Sequence, residues 1–208
     1  MTDELVFYTN PMSRGRIARW MLEEVGAPYR TEILDYGTTM KAPDYLAINP
    51  MGKVPAIRHG DAVVTECAAS CAYLADALPD AGLAPPLGDR AAYDRWLFFA
   101  AGPLEAAVTN RALGLVVPDE KRGTVGYGSF EAVMDTLQQA VAAGPYIAGE
   151  RFTAADVYVG SHIRWGLQFG SIEDRPGFAD YSTRVGDRDA YRRATALDDA
   201  AMPPKEAE

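Results

Sequence analysis

Between Asn49 and Leu74 the chain reads NPMGKVPAIRHGDAVVTECAASCAYL, and these residue types suit the holding of a small peptide against a sheet edge. Asn49-Pro50 and Gly52 make a turn directly before the short apolar run Val54-Pro55-Ala56-Ile57. A proline there cannot donate to a ladder, so the run is either an edge strand or a strand entered through a special bend. A cis Val54–Pro55 bond would make that bend and offer the Val54 N–H and C=O to an extended peptide pairing as an added strand. His59-Gly60-Asp61 reads as the turn of a hairpin ending in Val63-Val64. Thr65 and Glu66 then precede Ala68–Leu78, a run of helix formers with apolar residues at helical spacing. The N–H groups at such a helix start suit a ligand carboxylate, and Glu66 beside them suits a ligand amine.

The elements that must position this stretch lie on both sides of it. Leu5–Tyr8 reads as a strand, Arg14–Val25 as a helix stopped by Gly26 with Glu23 and Glu24 on its outer side, and Tyr29–Leu34 as a second strand. Such a β-α-β unit needs a crossover and a parallel pair. A short helix over Ala42–Ile48 delivers the chain to Asn49, and the breaker-rich segment Pro79–Gly88 reads as a linker. From there the pattern is helical. Ala91–Val117 is expected to kink at Gly102-Pro103, and Thr124–Ala143 to stop at Gly144-Pro145. Phe152-Thr153-Ala154-Ala155-Asp156 is a helix start, with Thr153 capping, Asp156 capping back and Phe152 stapling onto Val157. Gly177–Gly186 and Arg188–Ala200 supply the last helices, and Met202–Glu208 a frayed tail.

Bulk properties exclude several classes. With 208 residues, 48% hydrophobic and 24% charged, the chain is globular and long enough for one large or two small domains. No apolar run reaches membrane-spanning length, and the start MTDELVFY shows neither the basic nor the long apolar region of a secretion signal, so none is expected. A net charge of -9 disfavours nucleic acid and anionic membrane surfaces as partners. The only cysteines, Cys67 and Cys71, sit one helical turn apart, poorly placed to bridge, which fits a reducing cytoplasm. With His59 and His162 the only histidines, no metal site is expected.

Asn49-Pro50-x-Gly52-Lys53-Val54-Pro55, followed by Thr65-Glu66-Cys67-Ala68-Ala69 and Tyr73-Leu74, resembles the glutathione-site half of the cytosolic glutathione transferase family, in its bacterial, serine-using type. Cys67 stands where that family usually has Ser, which leaves its backbone N–H to serve in place of a hydroxyl, and Ser70 stands where it usually has Ile. The resemblance implies a thioredoxin-like α/β N-terminal domain (residues 1–78), a linker (79–89) and an all-α helical C-terminal domain (90–208). The order β-α-β-α-β-β-α is what a thioredoxin-like domain requires.

In such a domain the reactive group lies in the loop after the first strand, here Thr9–Arg16. The resemblance points to Ser13, whose hydroxyl would donate to the glutathione sulfur and favour the thiolate with help from the helix dipole. Lowering a thiol pKa of ~8.5 by about 2 corresponds to roughly 2.7 kcal/mol, within reach of one hydrogen bond and a helix terminus. The competing reading is that Ser13 only caps the helix, as Ser commonly does. Tyr8 is the rival donor, since some classes use a tyrosine at the end of the first strand, but two extra residues before Arg14 draw the loop tip toward Ser13, and Tyr8 also fits a half-buried strand position. The resemblance implies that Lys41 and Lys53 meet the glycyl carboxylate, that Val54 and Pro55 pair with the glutathione backbone, and that Glu66 with Cys67 holds the γ-glutamyl end, although each lysine alone also reads as an ordinary solvated side chain. Met12 with Trp96, Ala100, Leu104, Arg111 and Trp165 would line the pocket for the electrophile, although core packing competes for each aromatic.

The function implied is glutathione transfer to small apolar electrophiles, as in detoxification. Glutathione is the co-substrate, no metal is needed, and a homodimer in the cytoplasm is expected. A peroxidase, a dehalogenase or a non-catalytic binding or regulatory protein on the same scaffold are the alternatives. The lack of a Cys in Thr9–Arg16 speaks against thiol-disulfide exchange.

Overall fold

The computed structural model describes residues 4–203, so the expected tail lies outside the described residues from 204 onward. The chain divides into two compact units, Met1–Ala81 with Arg188–Glu208, and Gly82–Asp187.

The first unit is built on a four-stranded sheet of order β2-β1-β3-β4. β1 (Leu5–Thr9) is buried along its whole length, as expected of an uninterrupted apolar run between two neighbours. It pairs in parallel with β2 (Arg30–Ile33), Thr9 lying opposite Ile33, and antiparallel with β3 (Ala56–His59), Tyr8 lying opposite Ala56. β3 turns at Gly60 into β4 (Ala62–Thr65), the expected hairpin. β3 is thus an inner strand. Pro55 stands just before its ladder, and the Val54–Pro55 bond is cis as expected.

Between β1 and β2 runs α1 (Gly15–Val25), which buries Ile17, Ala18, Trp20, Met21 and Leu22 and ends at Gly26. Gly26 adopts φ 68, the left-handed conformation that lets its N–H reach the Leu22 carbonyl. Met40 and Tyr45, the latter on the short helix α2 (Pro43–Leu46), join Val6, Tyr8 and Ala56 in a second cluster. α3 (Cys67–Ala77) follows β4 directly.

α9 (Asp189–Ala200) belongs to this same unit, whereas the sequence reading kept it with the other helices. Arg19 Nε donates to Asp198 Oδ1 at 2.7 Å with both side chains buried, and Trp20 meets Tyr191 edge-on at 4.9 Å. Glu23 and Glu24, expected on the outer side of α1, are largely covered, paired with Arg193 and Arg188. Pairs 160 or more residues apart leave no mark in local periodicity.

The second unit holds α4 (Ala91–Phe99), α5 (Glu105–Ala112), α6 (Phe130–Ala142), α7 (Ala154–Phe169) and α8 (Phe178–Gly186). The expected kink at Gly102-Pro103 is a π-helical turn over Ala100–Leu104, where proline has no N–H to give the helical ladder. The helix then stops at Ala112, short of Val117, with Gly114 at φ 70. α6 starts six residues later than its pattern suggested. Ser129 caps it, accepting the Ala132 N–H at 3.1 Å, while residues 119–124 form a separate 3₁₀ turn. At the start of α7, buried Asp156 accepts from the N–H groups of Thr153 (2.9 Å) and Ile147 (2.8 Å) and from the Tyr181 hydroxyl (2.8 Å). Burial pushes its carboxyl up, and those donors pull it back.

Candidate active site

Ser13 is half-buried in the loop that joins β1 to α1. Its Oγ donates to the Asn10 carbonyl at 2.6 Å and accepts the Gly15 N–H at 2.9 Å, so one orphan donor of the helix start is satisfied by this hydroxyl. Tyr8, the rival, is buried with its ring tilted against Tyr45 at 5.6 Å. Other carbonyls of the loop are held by side chains: Arg16 Nε donates to Pro11 O at 2.6 Å and the Tyr36 hydroxyl to Met12 O at 3.4 Å.

The loop before β3 is pinned in a similar way. The Tyr45 hydroxyl and Asn49 Nδ2 both donate to the Lys53 carbonyl, at 2.5 and 2.8 Å, and Lys41 Nζ donates to the carbonyls of Met51 (3.2 Å) and Gly52 (2.8 Å). Gly52 has φ 56, and a Cβ there would lie 2.8 Å from Lys41 Nζ and 2.9 Å from Met40 O, so only glycine fits. Burial pushes the Tyr45 phenol up to about 12, so it stays a donor across the physiological range. The Lys53 side chain is exposed.

Glu66 caps α3 at φ 65 and ψ 123 and is the one non-glycine residue with positive φ among the described residues. Holding a side chain there costs of order 1–3 kcal/mol, and such outliers gather at binding sites. Cys67 is nearly buried, and its Sγ donates to the Arg14 carbonyl at 3.6 Å, so this thiol ties the start of α3 to the start of α1. Among the described residues no group of three or more His, Cys, Asp or Glu could hold a metal ion, and no helix is long and apolar enough to cross a membrane.

Residues 12–77 match the family described as glutathione S-transferase, N-terminal domain. The glutathione S-transferase GstA of Escherichia coli O157:H7 is 30% identical over 159 residues, which cover 74% of this chain and 78% of that one. The chain belongs to the glutathione S-transferase family. Glutathione S-transferase 3 of Zea mays is 31% identical over 73% of each chain. Among solved structures, a glutathione transferase of Methylococcus capsulatus str. bath (27% identity, 94% of this chain, 99% of that one) has a TM-score of 0.77. A Sulfitobacter glutathione transferase homologue solved with bound glutathione (26% identity, 97% and 100%) has 0.74.

In this transferase the expected glutathione-holding residues Lys41, Lys53, Val54, Pro55, Glu66 and Cys67 all lie in the first unit, as does Ser13. The residues expected to line the electrophile pocket differ in exposure. Met12 is 57% exposed, while Trp96, Ala100 and Leu104 are buried, which makes them core, because the inward face of a kinked helix is apolar for packing. Arg111 is committed to an ion pair with Glu173 at 2.8 Å and stacks over Phe130 at 4.2 Å. It lines a cavity of about 350 Å³ with Leu115, Val116 and Tyr127. Trp165 is half-buried.

Sequence reasoning missed Asn10, which is buried and organises the Ser13 loop: Oδ1 accepts the Met12 N–H at 2.9 Å and Nδ2 donates to Leu34 O at 2.8 Å. The signal was present in the repeated tripeptide Asn-Pro-Met, at 10–12 and again at 49–51.

Proposed function

We propose that this glutathione transferase is of the serine-using, bacterial type and that Ser13 holds the thiolate of glutathione. The observation that carries this reading is the bonding of the Ser13 hydroxyl. Turning its hydrogen, with the oxygen left in place, redirects the donation from Asn10 O to a ligand sulfur. The Asn10 carbonyl keeps the Ser13 N–H at 3.1 Å, so it is not stranded. The Gly15 N–H stays on Oγ, and the start of an 11-residue helix favours the negative charge. Tyr8, packed against Tyr45, has the bonding of a core residue.

Glutathione would pair with Val54 at the mouth of β3 beside Pro55. Glu66 would meet its ammonium, and the first N–H groups of α3, that of Cys67 included, its γ-glutamyl carboxylate. Lys53 is the stronger partner for the glycyl carboxylate, because Lys41 already spends two of its three donors on the Met51 and Gly52 carbonyls. The bound thiol loses its proton to solvent, and the thiolate attacks the carbon of a small apolar electrophile, with orientation supplying much of the acceleration. A cytoplasmic homodimer serving detoxification completes the reading, on the strength of the family resemblance.

Titration of the ultraviolet absorbance of enzyme-bound thiolate tests it. Ser13→Ala should raise the bound-thiol pKa toward its solution value and lower kcat/KM at neutral pH, while Tyr8→Phe leaves the pKa in place. A shift in Tyr8→Phe with none in Ser13→Ala would transfer the role to Tyr8.

A further inference from the structure

Three successive carbonyls before β3 are held by side chains of the first unit. Lys41 Nζ takes those of Met51 and Gly52, and the Lys53 carbonyl receives two donors, the Tyr45 hydroxyl at 2.5 Å and Asn49 Nδ2 at 2.8 Å, both from buried side chains. One donor would satisfy such a carbonyl, and a phenylalanine would fill the place of the Tyr45 ring against Val6 and Tyr8 equally well. Donors on both lone pairs do more, because together they fix the direction of the C=O. The Lys53–Val54 peptide is trans, so its C=O and N–H point opposite ways. With the C=O held toward Tyr45 and Asn49, the Val54 N–H faces away from them, and it has no partner among the described residues.

We propose that Tyr45 is a positioning residue for glutathione: by holding the Lys53 carbonyl it aims the Val54 N–H at the cysteinyl carbonyl of the ligand. The proposal rests on the reading above in which glutathione pairs with Val54. An added strand exchanges an N–H and a C=O with its partner residue, and in γ-glutamyl-cysteinyl-glycine only the central residue has both in amide bonds. Its C=O is therefore the acceptor for the Val54 N–H. Without the Tyr45 hydroxyl, Asn49 alone holds the Lys53 carbonyl, and the peptide plane gains freedom to turn about the bonds on either side of it. That freedom is lost again when the ligand binds, which weakens binding. The chemistry of the thiolate at Ser13 does not pass through this peptide plane, so binding and turnover separate.

The test is calorimetry with S-methylglutathione and with its thioamide analogue, in which sulfur, a poor acceptor, replaces the cysteinyl carbonyl oxygen. Tyr45→Phe should bind S-methylglutathione about fivefold more weakly, the worth of one ordinary hydrogen bond. In turnover it should raise KM for glutathione and leave kcat and the bound-thiol pKa in place. The thioamide should bind the wild type more weakly than its parent does, and Tyr45→Phe should shrink that difference. If the thioamide weakens binding to the wild type but Tyr45→Phe binds both ligands as the wild type does, the Tyr45 proposal is overturned and the Val54 pairing stands. If the thioamide binds the wild type as tightly as its parent, the Val54 pairing fails and takes this proposal with it. An equal weakening of both ligands by Tyr45→Phe, or a fall in kcat, also overturns it, because the hydroxyl would then support the site at large and not the aim of one N–H.

Discussion

Asn10 and Asn49 make the same turn in the two loops that frame the candidate glutathione site. Each precedes Pro-Met, and each is buried. Each accepts the N–H of the methionine two residues on, at 2.9 and 3.1 Å, and each donates its amide to a carbonyl, Leu34 O or Lys53 O, at 2.8 Å. The turn fixes both loops from inside with one side chain apiece.

The two asparagines should therefore fail differently when truncated. Asn49→Ala and Asn10→Ala each leave buried backbone groups short of a partner and should cost about 1–3 kcal/mol of stability. Asn49→Ala should weaken glutathione binding, since it loosens the segment leading to Val54. Asn10→Ala should act chiefly on kcat, by loosening the loop whose Asn10 carbonyl accepts from the Ser13 hydroxyl. Steady-state kinetics of the two folded variants, separated into KM and kcat, check this; identical profiles would count against distinct roles for the loops.

Glu66 should trade stability against binding. Glu66→Ala is expected to lower glutathione affinity by about 2 kcal/mol, because the ligand ammonium loses its counter-charge. Glu66→Gly should lose affinity similarly but gain about 1 kcal/mol of stability, since glycine occupies φ 65 without strain. Calorimetric binding and urea unfolding of the pair decide it, and unchanged affinity in either variant removes Glu66 from the site.

The pairing of Arg19 with Asp198 predicts a pH-dependent defect. Burial is the largest influence on Asp198 and pushes its carboxyl up, against the pull of Arg19. A folded pKa above the unfolded one means that the stability linked to this carboxyl is fully present below about 3.9 and is lost as pH rises through the folded value. Arg19→Met removes the counter-charge and should cost about 3–5 kcal/mol at neutral pH, where the carboxylate is stranded. The deficit should shrink as pH falls toward 4 and Asp198 escapes by taking a proton. Urea midpoints from pH 4 to 8 measure it; a deficit of constant size would show that lost packing, and not Asp198, is the cause.

Sequence alone determined the elements of the first unit, the hairpin, the bend at Pro55 and the family, because these rest on local chemistry: proline lacks a donor, glycine admits positive φ, and apolar spacing reports a buried face. The Asn49–Leu74 segment was legible for the same reason, as its turn, strand and helix start are consecutive. Only the tertiary structure decided that α9 packs on α1, that Glu23 and Glu24 are covered, and that Trp96, Ala100 and Leu104 are core. Each of these depends on residues brought together by the fold, and a buried ion pair 179 residues apart has no periodicity by which a sequence could announce it.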